Sequence, residues 1–150
     1  ADRRTPPARA RHRRREPVLA TGPFADVRRH ALPVLERHAI PATMFAVTGY
    51  LGGLNPWMDR AVFPPRAIMS GTELRELQAA GVEIGSHSVS HPSMTELSLE
   101  EMAREAKASK EALEQLLGRE VRHFAYPYGR FNLAAKEAVR SAGYRFAREQ

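Results

Sequence analysis

Short apolar runs alternate with segments of helical periodicity along most of the chain. Apolar runs at 18–20, 42–47, 82–85, 121–126 and 144–147 predict five strands, and helical patterns lie between them at 26–38, 70–81, 98–118 and 132–143. This alternation is typical of repeated β-α units and predicts an α/β fold with parallel strands. A closed eight-stranded barrel takes about 200 residues or more, so a chain of 150 residues should form an open sheet or part of a barrel.

Capping and breaking residues set the expected ends of the helices. Ser70 with Glu73, and Ser98 with Glu101, fit capping boxes at the starts of two helices. Pro33 must start or kink the helix predicted between 26 and 38. In the longest helix, which Gly118 should end, a stripe of apolar residues is expected to face the sheet: Leu99, Met102, Ala103, Ala106, Leu113 and Leu117. The segment 48–65 is predicted to be a long irregular loop.

The formal charge of +6 is concentrated at one end of the chain. Residues 1–16 contain seven arginines against Asp2 and Glu16, whereas the remainder is nearly neutral. Such a stretch could bind phosphate or an anionic membrane surface. We interpret 1–16 as a basic disordered tail and 17–150 as one domain. Because no aromatic residue lies between the arginines for base stacking, we do not expect nucleic acid to be a partner.

Composition excludes several kinds of site. The chain has no cysteine, so a metal would have to use histidine, carboxylate or water. No run approaches the roughly 18 consecutive apolar residues of a membrane span, and the arginine-rich start is not followed by the apolar core of a signal peptide. We expect no membrane span, and the sequence leaves localisation and oligomeric state open.

The first candidate site follows the third predicted strand. His87 and His91 lie four residues apart between Gly85 and Pro92, which should fix a turn at the end of that strand. Active sites of parallel β/α folds lie beyond the carboxyl ends of the strands, and two neutral imidazoles in such a turn can point at one cation. The alternative, which the spacing alone favours, is a pair of surface polar residues.

The second candidate site follows the fourth strand. Proline and glycine in Tyr126-Pro127-Tyr128-Gly129 force a turn that leaves backbone N–H groups available to a ligand, and the tyrosine rings offer flat surfaces for a sugar. The alternative is an ordinary turn with two packing aromatic side chains. By contrast, the first strand ends in Thr21-Gly22-Pro23-Phe24, with no carboxylate directly after it.

From Val27 through Ala147 the chain resembles the polysaccharide deacetylase family, whose domain is a distorted, incomplete (β/α) barrel of the glycoside hydrolase/deacetylase type. The resemblance covers about four fifths of the chain and keeps the family's order and spacing. It rests on these segments: Leu32 to Leu35, Ile40 to Phe45, Gly81 to His87 with His91 and Pro92, Leu117-Gly118, Phe124 to Arg130, and Ala142 to Tyr144.

The resemblance implies a hydrolase that removes acetyl groups from N- or O-acetylated glycans. In the family an aspartate and two histidines hold a divalent metal, usually zinc, and a metal-bound water attacks the acetyl carbonyl. His87 and His91 match the two histidine ligands. Tyr128 matches the residue whose backbone N–H stabilises the oxyanion, and Tyr126 and Pro127 lie in the same motif and are expected to contact the substrate.

The chain also departs from the family pattern. The Asp-Asp pair of the family's first motif, one general base and one metal ligand, is absent, and Asp26 matches only a later aspartate. The late motifs would lie beyond Gln150, so we expect the C-terminal part of the barrel to be missing. Zinc should then be weakly held and the domain inactive as written, because a lost acid or base costs about 10² to 10⁴ in rate and a lost ligand threatens metal occupancy.

Three interpretations remain open from the sequence. The domain is an active deacetylase, a degenerate domain that binds glycan or metal without catalysis, or a gene fragment whose first 26 residues replace the natural start. Members of the family are often extracytoplasmic or bound to the cell envelope, which is the only indication of location.

Overall fold

The protein forms a five-stranded parallel sheet with helices packed against it. The computed structural model describes residues 18–21 and 24–149, so the predicted basic tail lies outside the described residues. The strands are β1 (Val18–Thr21), β2 (Ala42–Ala46), β3 (Glu83–Ser86), β4 (His123–Ala125) and β5 (Phe146–Arg148), paired in chain order. The five parallel strands curl as part of a (β/α) barrel, which confirms the predicted fold class.

Five α-helices connect or flank the strands in the described part of the chain. They are α1 (Ala25–His30), α2 (Leu32–Arg37), α3 (Gly71–Ala79), α4 (Leu99–Leu117) and α5 (Leu133–Ser141). One helix had been expected over 26–38, and the structure divides it at Ala31, with Pro33 in the first turn of α2. The predicted loop 48–65 contains a short 3-10 helix, Thr48–Tyr50.

The two predicted capping boxes are confirmed. Glu73 N–H donates to Ser70 Oγ at 3.2 Å, and Glu101 N–H donates to Ser98 Oγ at 3.2 Å. In each box the glutamate carboxylate accepts from the backbone N–H of the serine. Gly118 ends α4 in the left-handed conformation with φ 69°, which a residue without a side chain adopts at no steric cost. These local signals fix both ends of α4.

Helix α4 packs on the sheet through a narrower face than its sequence predicts. Met102, Ala106 and Leu113 are buried. Leu99 is 72% exposed, and Ala103 is exposed as well. The prediction for these two residues was wrong because the buried face of α4 follows Met102, Ala106 and Leu113 and leaves both of them exposed.

The end of β3 lies in the core and is hydrogen-bonded to a neighbouring helix. All five residues of β2 are buried, as expected for a central strand of a parallel sheet. Ser86 Oγ, at the end of β3, donates to Ser109 Oγ of α4 at 2.8 Å, and Tyr144 OH lies 3.0 Å from the same Ser109 oxygen. This buried network of hydroxyl groups joins the end of β3, helix α4 and the segment before β5, at the residue that precedes His87.

Candidate functional site

The two histidines of the predicted pair converge at the mouth of the sheet. His87 follows β3 and is 2% exposed, and His91 lies in the next turn and is 9% exposed. Their Nε2 atoms are 3.1 Å apart. Two nitrogens at this separation, each about 2.0–2.1 Å from one zinc ion, would subtend an angle of roughly 100° at the metal, close to tetrahedral. The two imidazoles are therefore a buried, converging pair and not two surface side chains.

The hydrogen bonds of His87 fix which of its nitrogens faces His91. Its Nδ1 donates to the backbone carbonyl of Ala125 at 2.8 Å, so in the neutral ring the lone pair lies on Nε2. Metal-binding histidines commonly make such a bond from the second ring nitrogen. Because Ala125 ends β4, this contact also ties the two candidate sites together.

His91 is left with an unsatisfied nitrogen. If its Nε2–H donates to His87, then His91 Nδ1 is a buried acceptor, and no hydrogen-bond partner reaches it. If instead its Nδ1 is protonated, two nitrogen lone pairs face each other across 3.1 Å. A shared cation would remove the second conflict by accepting both lone pairs, so the donor chemistry of this half of the site fits a divalent metal.

Both imidazoles are neutral at pH 7. Burial lowers the pKa of His87, against a smaller opposing effect of its bond to Ala125. Burial, with repulsion from His87, lowers the pKa of His91 to about 4. Neutral imidazole is the form that ligates a metal, so the site needs no deprotonation step at neutral pH.

These pKa shifts predict acid destabilisation of the domain. An unfolded histidine takes up a proton near pH 6.5, whereas folded His91 does so only near pH 4, so the unfolded state holds more protons between these values. The free energy of unfolding should be constant above about pH 6.5 and decrease as the pH falls toward 4. Urea unfolding across this range tests this, and a His91→Gln variant should have a flatter profile. An equally steep profile in that variant would contradict the assignment.

The turn after β4 lies directly beside the histidine pair. Tyr128 has a left-handed backbone, φ 59° and ψ 13°, and its ring lies edge-on to His91 with centroids 4.8 Å apart. Gly129 N–H donates to Tyr126 O and Arg130 N–H to Pro127 O; the N–H of Tyr128 is not part of this pair of turn bonds. The predicted oxyanion donor is therefore next to the predicted metal ligands.

Tyr126 and Pro127 are placed differently from Tyr128. Tyr126 is 3% exposed and packs against Phe124 and Phe131, and burial raises the pKa of its phenol. Pro127 is fully buried, whereas Tyr128 is 55% exposed. Because the backbone of both residues is buried with their side chains, no surface for a substrate is seen at Tyr126 or Pro127, and their assignment to substrate binding stays a prediction.

Trp57 belongs to the site, and sequence reasoning did not assign it. Its ring stacks on His91, with centroids 4.5 Å apart and an angle of 16° between the planes, and it also contacts Tyr50. It lies in the long loop after β2, where no periodicity indicates the direction of a side chain. The signal that could have drawn attention to it is that the chain has one tryptophan, in a loop that follows a strand end.

No carboxylate joins the two histidines in the described part of the chain. No group of three or more His, Asp or Glu side chains comes together there in a way that could hold a metal. Asp26, the nearest match in the sequence, forms an ion pair with Arg66, which also lies 4.0 Å from the centre of the Phe24 ring. Asp26 is thus engaged elsewhere, and His87 and His91 remain the candidate ligands among the described residues.

Comparison with known protein families identifies the family of this chain. The sequence model of the polysaccharide deacetylase family matches residues 20–147. The chain belongs to the polysaccharide deacetylase family.

Relatives in this family are distant in sequence and longer than this chain. A chitooligosaccharide deacetylase of Azorhizobium caulinodans is 27% identical over 125 residues, which are 83% of this chain and 52% of the relative. The chain spans 39%, 27% and 52% of the lengths of three curated relatives that it matches.

Solved structures support the same fold. The structure of IcaB from Ammonifex degensii is similar with a TM-score of 0.71 and 26% identity, covering 85% of this chain and 57% of that one. A protein from Bacillus anthracis described as a CE4 family pseudoenzyme is similar with a TM-score of 0.70 and 20% identity, covering 91% of this chain and 43% of that one.

Proposed function

We propose that the domain binds acetylated glycans at a divalent cation held by His87 and His91, and that the reaction for which the site is organised is removal of an N- or O-linked acetyl group. The observation that supports this best is the 3.1 Å approach of the two Nε2 atoms beside the Tyr128 turn. Zinc is the cation best suited to neutral nitrogen donors in a site of few ligands.

Each residue of the site has a proposed task. His87, held by Ala125 O, and His91, held by stacking on Trp57, would keep two nitrogens aimed at one point. The bound cation would polarise the acetyl carbonyl as a Lewis acid. The N–H of Tyr128 would donate to the carbonyl oxygen as negative charge develops on it. The exposed ring of Tyr128 and the half-buried ring of Trp57 would face the sugar.

A second candidate function is binding without hydrolysis. It is favoured by the absence of a third metal ligand among the described residues and by the engagement of Asp26 with Arg66. The Bacillus anthracis protein is described as a pseudoenzyme, and a mutant of it as having restored enzymatic activity. Such a precedent shows that in this family the fold persists when activity is lost. We propose that this chain, as it stands, performs the binding step alone.

Zinc stoichiometry and acetate release separate the two candidates. After equilibration with zinc and gel filtration, the chain should retain less than one equivalent, because two of the usual three protein ligands are present. Incubation with acetylated chito-oligosaccharides should release no acetate above the buffer control, while the oligosaccharide should still bind in the presence of zinc. Sustained acetate release would overturn the binding-only proposal, and failure to bind zinc at any concentration would overturn both.

A further inference from the structure

The turn that holds both histidines has a backbone under strain. Ser88 has φ 70° and His91 has φ 62°, so two residues with side chains occupy the left-handed region within four positions. Residues with side chains adopt this region at an energetic cost, so the surrounding structure must stabilise the conformation. The groups that hold 88–90 in place therefore determine where the two imidazoles point.

One carboxylate on α4 binds this turn at three points. Glu105 Oε2 accepts from the backbone N–H of Val89 at 2.8 Å and of Ser90 at 3.0 Å, and Glu105 Oε1 accepts from Ser90 Oγ at 2.7 Å. Both oxygens are used, and hydrogen bonds to an ionised acceptor are stronger than those between neutral groups. These bonds satisfy N–H groups that the turn itself leaves without acceptors.

The opposite side of the turn is held by the loop after β2. Thr48 N–H donates to Ser88 O at 3.1 Å, and Gly49 N–H donates to Val89 O at 2.8 Å. A Cβ at position 49 would lie 2.6 Å from Val89 O, so only glycine permits this approach. The turn is thus held by backbone donors of the loop after β2 and by the Glu105 side chain, while Ser88 Oγ accepts from His91 N–H at 3.0 Å within the turn itself.

We propose that Glu105 is a positioning residue that sets the separation and orientation of His87 and His91. It touches neither imidazole, so it acts through the turn. The role in cation binding rests on the function proposed above, whereas the role in holding the imidazoles does not. Ser109, one turn further along α4, bonds to Ser86 Oγ, which accepts from Ser88 N–H at 3.3 Å, so it supports the start of the turn, whereas Glu105 holds Val89 and Ser90.

The test compares three variants on the same helix. Glu105→Ala removes all three bonds, and Glu105→Gln keeps a carbonyl oxygen that can accept from the backbone. Glu111→Ala is the control, because it removes an exposed carboxylate of the same helix whose ion pair with Lys107 lies on the solvent side. Co²⁺ affinity is measured by quenching of Trp57, the single tryptophan, which stacks on His91. Thermal unfolding and imidazole-nitrogen NMR of each variant are recorded in parallel.

We expect Glu105→Ala to weaken Co²⁺ binding by roughly 10- to 100-fold, Glu105→Gln to recover most of that loss, and Glu111→Ala to leave the affinity unchanged. In cation-free Glu105→Ala the NMR pattern of one protonated Nε2 facing one unprotonated Nε2 should be replaced by mixed tautomers of His91. A folded Glu105→Ala variant with parental affinity and a parental NMR pattern would overturn the proposal. If Glu105→Ala does not fold, Glu105→Asp replaces it in the comparison, because its shorter side chain withdraws the carboxylate from Val89 and Ser90. Parental affinity with a parental NMR pattern in that variant would overturn the proposal.

The outcome also separates this inference from the proposed function. If the parent chain does not bind Co²⁺, the cation site is wrong, and the NMR comparison alone decides whether Glu105 orients the histidines. If the parent binds and the variants behave as expected, both proposals are supported.

Discussion

A Thr21→Asp, Gly22→Asp double variant is expected to release acetate from acetylated chito-oligosaccharides at least about 10²-fold faster than the parent chain. Thr21 is the last residue of β1 and pairs in register with Phe45, which pairs with Gly85. One step further along this register are Ala46 and Ser86, and His87 follows. A carboxylate introduced at 21 would therefore enter at the sheet edge where the two histidines lie, and residue 22 is the next one in the chain.

The effect should appear in cation binding as well as in rate. A third protein ligand should raise zinc retention to one equivalent, and a second carboxylate can act as general base. The matched control is Thr21→Asn, Gly22→Asn, which has nearly the same shape without the charge. Equal acetate release by the aspartate and asparagine variants, or none from either with zinc fully retained, would show that the missing activity has another cause.

Replacing either histidine is expected to abolish cation binding at micromolar concentration. With two protein ligands among the described residues, losing one leaves a single imidazole, so the affinity measured by Trp57 quenching should decrease by at least about 100-fold in His87→Gln and in His91→Gln. Glutamine at 87 can still donate its amide hydrogen to Ala125 O, so the fold should survive.

The matched control is His30→Gln, on the exposed side of α1. This variant should bind Co²⁺ as the parent does. If it loses affinity to the same extent as the site variants, or if His87→Gln binds normally, the cation does not lie between His87 and His91.

Most of the fold could be predicted from local sequence signals. The runs around Met44, Ile84 and Phe124 are apolar because these strands are buried, and serine with glutamate three residues later marked the starts of α3 and α4 correctly. The wrong predictions concern helix residues whose burial depends on contacts with elements distant in sequence. Val34 lies on the apolar side of its helix pattern yet is 52% exposed, because no described element covers that side of α2.

The site was predictable where motifs follow strand ends, and not where it depends on contacts between loops. His87, His91 and Tyr128 follow strands and could be assigned to one edge of the sheet. Trp57 and Glu105 could not be assigned, because the stacking on His91 and the bonds to the 88–90 turn join segments that are 34 and 15 residues apart. No spacing rule encodes such contacts, since they depend on how the loop after β2 and helix α4 pack around the turn.

The central claim is that His87 and His91 bind a single cation through facing Nε2 atoms. Imidazole-nitrogen NMR of the chain, titrated with zinc, measures this directly. The Nε2 signals of both histidines should move together as zinc is added, while His87 Nδ1 stays protonated through its bond to Ala125. A shift confined to one of the two histidines, or a zinc-dependent shift of His30 with none at positions 87 and 91, would contradict the account.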